Sequence, residues 1–249
     1  MWCLMLMTRT LRPITRLFLS AALALSAAGG LTGCGVGQSP QSIVAHKIAD
    51  ALPRVLGPAA HYDVQVTGGV LGLAQGRAKH VHITGQDVRV TPTVTLDTLT
   101  LDADDISFNE QTHTVQKVGK TVFAAALGQA HLSAYLAQAR PNLQVTLLEN
   151  SLQAALPIHF GPLQTVVTVR GTLAPTEMGS DTVGFIADRA RLGVLPVPAF
   201  AVNAALEAVN PVLDLSQVKV PIAVQSADVE QGLLTLRGTA QIDSIGHAP

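Results

Sequence analysis

The chain has 249 residues, of which 48% are hydrophobic, 13% charged and only 4% aromatic, with 16 Lys and Arg against 17 Asp and Glu. A formal net charge of −1 leaves no basic footprint for a phosphate backbone, so no nucleic-acid partner is expected. The 2 cysteines are Cys3 and Cys34, both near the start, so the rest of the chain must be held by an aliphatic core rather than by disulfides.

In chain order, Arg9, Arg12 and Arg16 make a basic stretch, Leu17 to Ala28 is apolar, and small residues follow, which is the layout of an export signal. The apolar run is too short and too rich in glycine for a spanning helix, which needs roughly 20 apolar residues. It ends at Leu31-Thr32-Gly33-Cys34, which resembles the bacterial lipobox, with Cys34 as the acylated residue. The sequence therefore predicts a signal over 1–33, a lipidated terminus and tether over 34–41, one domain over 42–243 and a short tail over 244–249. It also predicts a lipoprotein anchored at a membrane of the cell envelope, facing the periplasm or the exterior.

Between Ser39 and Gly57 the apolar residues Val44, Ile48 and Leu52 recur at helical spacing, Ser39 or Ser42 can cap the start, and Gly57-Pro58 ends the run. The period then falls to two. In "YDVQVTGGV" (62–70), Val64 and Val66 share a side; in "KHVHITGQDVRV" (79–90), Val81 and Ile83 oppose His80 and His82. In "VTLDTLTLDADDISFN" (94–109), Leu96 lies on one face and Leu99 and Leu101 on the other, which predicts a bulge or bend. Shorter strands follow, then a helix over 131–141, then strands that include Val167 and Val169. A second long helix over 196–211 carries Phe200 and Leu206, and a final strand places Leu234, Leu236 and Ile242 on its dry face. Helix, strands, helix and strands without an internal linker read as an α+β domain with a long curved antiparallel sheet around one or two long helices.

Few residue patterns point to chemistry. His80-x-His82 places two imidazoles on one strand face, but no Glu or Cys stands at a telling distance, so a solvated face is expected and no metal. Asp102, Asp104 and Asp105 lack the spacing and the glycine of a calcium loop and read as a solvated turn. No G-x-S-x-G is present, and "GGVLGLAQG" (68–76) lacks the lysine of a phosphate loop. The reading is a protein without catalytic residues or cofactor.

Five segments, "GRAKHVHITGQDVRV", "LDTLTLDADDISFN", "VGKTVFAAALGQAHLSAYL", "FIADRARLGVLPVPAF" and "NPVLDLS", resemble in order and spacing the LmeA family of bacterial phospholipid-binding proteins, over residues 42–243. The resemblance implies a fold similar to tubular lipid-binding domains, such as that of the bactericidal/permeability-increasing protein, and a phospholipid partner. Acyl chains are then expected between the first helix (Val44, Ile48, Leu52), the dry faces of the strands (Val81, Ile83, Val167, Val169, Leu234, Leu236, Ile242) and the second helix (Phe200, Leu206), serving lipid transport or sequestration. Two rival readings stay open: an adaptor lipoprotein with a filled core, and an envelope hydrolase with a polar cleft.

Overall fold

The first helix starts where the sequence supplies a cap. In the computed structural model, which describes residues 39–109, 114–160, 163–192 and 199–242, Ser39 has extended backbone and its hydroxyl accepts from the Ser42 amide at 3.2 Å. Pro40, whose fixed φ suits a first turn, opens α1 (Pro40–Val55). The expected signal segment, Cys34 and the tail 244–249 lie outside the described residues. Gln38–Pro249 forms one compact unit.

After α1 the chain forms β1 (His61–Thr67), the short α2 (Val70–Ala74), β2 (Arg77–Arg89), β3 (Thr95–Asn109), β4 (Thr114–Lys117) and β5 (Thr121–Gly128). Next come α3 (Gln129–Ala139), β6 (Gln144–Leu148), β7 (Ser151–Phe160), β8 (Leu163–Pro175) and β9 (Thr182–Leu192). The described chain closes with α4 (Ala199–Val209), β10 (Leu213–Asp214), β11 (Ile222–Glu230) and β12 (Leu233–Ala240). The result is an α+β protein made mostly of curled antiparallel sheet.

The strands divide between two sheets instead of forming one. The first runs β1-β2-β3-β5-β12-β11, with β4 also on β3; the second runs β10-β9-β8-β7-β6. After β5 the chain turns into α3, which Pro141 ends, and β6 pairs with β7 in the second sheet; the place beside β5 is taken by β12. The C-terminal hairpin β11–β12 returns to pair with β5. α1 has 16 residues, close to the span expected from Ser39 to Gly57, and the described part of α4 has 11; among the described residues no helix is long and apolar enough to cross a membrane.

Curl is built into β2 and β3. Val81, Ile83 and Gly85 face the core on β2, and then Val88 and Val90 do; the opposed β3 changes face between Leu96 and Leu99. Both changes fall between the paired Gln86↔Thr98 and Val88↔Leu96, where Asp87 takes a left-handed φ of 51°. The bend expected from the leucine phase is there. A similar switch between Ala103 and Ile106 accompanies Asp105, also at φ 51°. Register shifts at Arg170/Gly171 and Val224/Ser226 add twist; a Cβ at Gly171 would overlap the Ile186 carbonyl, so only glycine fits there.

The inward faces of both sheets share one core. Leu127, Leu152, Val167, Val224, Leu234 and Leu236 are all essentially inaccessible to solvent. Hydrogen bonds Asn150 N to Val229 O (3.0 Å) and Gly232 N to Leu147 O (3.1 Å) tie the β6–β7 turn to the β11–β12 turn.

Candidate functional site

Under the end of α1 the core opens into a slot. Its floor is the inner face of the first sheet: Leu96, Leu99 and Leu101 from β3, Phe123 and Ala125 from β5, Leu236 and Ala240 from β12, with Ile222 and Ile242 at the side. Strict alternation on β5 and β12 aims these residues inward. The small Ala125 and Ala240 leave space where a leucine would fill it. The roof consists of Leu56, Val90 and the strap between β10 and β11, which contributes Leu215, Val218 and Val220. Every lining side chain is apolar. The slot is narrow, with a cavity volume of about 50 Å³.

Polar groups fix the roof from outside. The Arg140 guanidinium, just past α3, donates to the carbonyls of Val209 (2.7 Å), Asn210 (2.9 Å) and Pro211 (2.9 Å), where α4 runs toward β10 ahead of the strap. The Asn210 side chain accepts from the Phe185 amide (2.6 Å) and donates to the Phe185 carbonyl (3.0 Å). Lys219 Nζ donates to the Arg54 carbonyl at 2.9 Å, joining the strap to the last turn of α1. The Tyr62 hydroxyl donates to the Gly57 carbonyl at 2.8 Å, and burial pushes its pKa up to about 12.

Of the residues expected to line a lipid site, Leu236 and Ile242 lie on the slot. Leu52, Val81, Ile83 and Leu234 are buried in the surrounding core, and Val167 and Val169 are buried in the second sheet. Val44 and Ile48 are half-buried along α1. Leu206 on α4 is partly buried against the core; Phe200 is in α4, and its side chain lies outside the described residues. Sequence reading missed the floor residues of β3 and β5 and the whole strap. The alternation of Leu99 and Leu101, and of Phe123 and Ala125, carried the signal for the floor; the strap, which has no repeat period, carried none.

Two polar clusters lie outside the slot. Cross-strand pairing sets His80 opposite Asp104 and His82 opposite Asp102, so the histidines and aspartates that look unrelated in sequence touch one another. Elsewhere, Asp97 accepts from the Gly128 amide and lies 3.1 Å from His131 Nδ1. Partial burial raises the Asp97 carboxyl, but the Gly128 amide and His131 outweigh burial and hold it below the usual carboxylate range.

Fold and slot together define a sheet-built α+β protein with an internal space lined only by carbon, the lining expected of a site for apolar ligands. Residues 41–239 match the LmeA-like phospholipid-binding family. The chain belongs to that family, which is a lipid-binding and not an enzymatic one. No curated protein and no solved structure matches the chain.

Proposed function

We propose that the slot takes the acyl chains of a phospholipid, with the headgroup at its mouth, and that the protein carries or sequesters lipid in the cell envelope without catalysing a reaction on it. The observation that carries this reading is the apolar lining of the slot in a chain of a phospholipid-binding family. Acylated at Cys34 and freed of its signal, the protein would work at a membrane, facing the periplasm or the exterior. The exposed apolar residues support that placement. Val70 and Leu71 on α2, 60% and 79% exposed, belong to an element that meets α1, whose first turn bears the exposed Ile43 and follows the tether.

A slot this narrow admits an acyl chain only when its roof moves. The strap is held at its ends by the Leu215 amide on the Asp181 carbonyl (3.0 Å) and the Gln241 amide on the Pro221 carbonyl (2.9 Å), is joined to α1 by the Lys219 bond to the Arg54 carbonyl, and between these meets the floor through aliphatic side chains. Lifting it uncovers apolar surface at a cost of roughly 25 cal/mol per Å², and an entering chain covers that surface again. Exchange of one apolar cover for another is close to neutral, which suits a carrier.

The same narrowness favours a second reading, a filled core in an adaptor lipoprotein. Native and denaturing mass spectrometry of the chain from Gly35 onward separates the two, since the protein's own anchor is then absent. Phospholipid retained near one to one supports the carrier. A folded protein that holds no lipid and takes none from vesicles makes it an adaptor.

A further inference from the structure

The outer face of β2 and β3, remote from the lipid slot, carries a cluster that the lipid reading does not use. We propose that His80, His82 and Asp102 bind one divalent transition-metal ion of the zinc type, with a fourth position left open to water.

The argument begins with register. Residues two apart on a strand share a face, and the pairings His80↔Asp104 and His82↔Asp102 stack two imidazoles against two carboxylates. Asp102 Oδ1 is the meeting point: His82 Nδ1 lies 2.6 Å from it and His80 Nε2 lies 3.4 Å from it. One donor atom from each of the three residues lies within 4.8 Å of the others. A tetrahedral zinc ion, with bonds of about 2.0–2.1 Å, needs its ligand atoms about 3.3 Å apart. Reaching that spacing takes only side-chain rotation at three residues that are each more than a third exposed.

The opposite side of each imidazole is held as it is in metal sites. His80 Nδ1 is 2.8 Å from Asp104 Oδ1. A carboxylate only accepts, so His80 Nδ1 donates to Asp104, and in the neutral ring that leaves the Nε2 lone pair toward Asp102 for the ion. On His82, Nδ1 lies 2.6 Å from Asp102 Oδ1 and by the same rule donates its proton there, so the ion takes the place of that proton, which moves to Nε2, 3.3 Å from the Thr84 hydroxyl. A histidine that binds a metal through one nitrogen while a carboxylate or hydroxyl orients the other is the usual arrangement behind zinc ligands. Imidazole and carboxylate donors together suit zinc and its first-row neighbours better than calcium.

The test uses the full chain, untagged, stripped with a chelator and freed of it. Cobalt(II) titration is expected to produce the d–d absorption of a four-coordinate site at one equivalent, displaced by zinc. His80→Ala or His82→Ala removes that signal with the far-ultraviolet circular dichroism unchanged. Asp104→Asn keeps the stoichiometry and weakens binding about 10- to 100-fold. His131→Ala leaves binding intact and so separates this cluster from the Asp87, Asp97 and His131 group, whose ligand atoms also lie close together. No cobalt signal, or a signal that survives the double variant His80→Ala/His82→Ala or is lost in His131→Ala, overturns the proposal. None of these readouts depends on whether the slot holds lipid.

Discussion

The two faces of the β2–β3 ladder make opposite use of the same strands. Inward, Val81, Ile83, Leu99 and Leu101 are buried, and Leu99 and Leu101 floor a slot without a polar side chain. Outward, His80, His82, Asp102 and Asp104 pair across the same ladder at 2.6–2.8 Å. The inner face depends on size and hydrophobicity, which many residues satisfy. The outer cluster depends on register, so a slip of one residue would dissolve it and carry every side chain to the other face.

The largest effect is expected from Leu236→Asp, which buries a carboxylate on the slot floor with no partner. A loss of about 3–5 kcal/mol is expected, read as a fall in the denaturation midpoint, and lipid retention should vanish with it. A folded Leu236→Asp protein that still copurified with lipid would move the site away from this floor. Arg140→Ala comes next. Three carbonyls between the end of α4 and β10 lose a charged donor, and about 1.5–3 kcal/mol should go, measured by urea denaturation; a loss within about 0.5 kcal/mol would mean that this segment is held by its apolar contacts alone.

Ala125→Leu sharpens the comparison by acting on the slot volume. A leucine there takes up the space that Ala125 leaves, so the protein should stay folded, with stability changed by less than about 1.5 kcal/mol, and take up less lipid from vesicles. Equal uptake by Ala125→Leu and the parent chain would argue against the slot. The smallest effect is at Asp97, beside the bend. Its carboxyl is held below the usual value, near 3.9 for an unfolded chain, so it contributes stability that is present above that value and lost as pH falls through the folded pKa. Asp97→Asn should therefore flatten the acid limb of the stability profile below about pH 4 and leave its slope at neutral pH unchanged; an unaltered acid limb would remove this role from Asp97.

Much of the fold is legible in the residues because periodicity is a local consequence of burial. The capped helix after Ser39, the alternation of β2, β5 and β12, and the change of face between Leu96 and Leu99 can each be read within a dozen residues. Elements without a period are not legible in this way. α2 occupies "VLGLA", where glycine obscures the helix; β7 contains Pro157, which argues against a strand; and β10 has two residues, too few to alternate.

Composition and pattern alone determined the α+β class, the alternation of wet and dry faces, and the segments by which the chain resembles its family, because these follow from side-chain chemistry at short range. Tertiary structure decided that there are two sheets, that the strap rather than the flank of α1 roofs the slot, and that two histidines meet two aspartates some 20 residues away in sequence. Those outcomes rest on register and on long-range closure, β12 against β5 above all, where the partner of each residue is chosen by the rest of the chain.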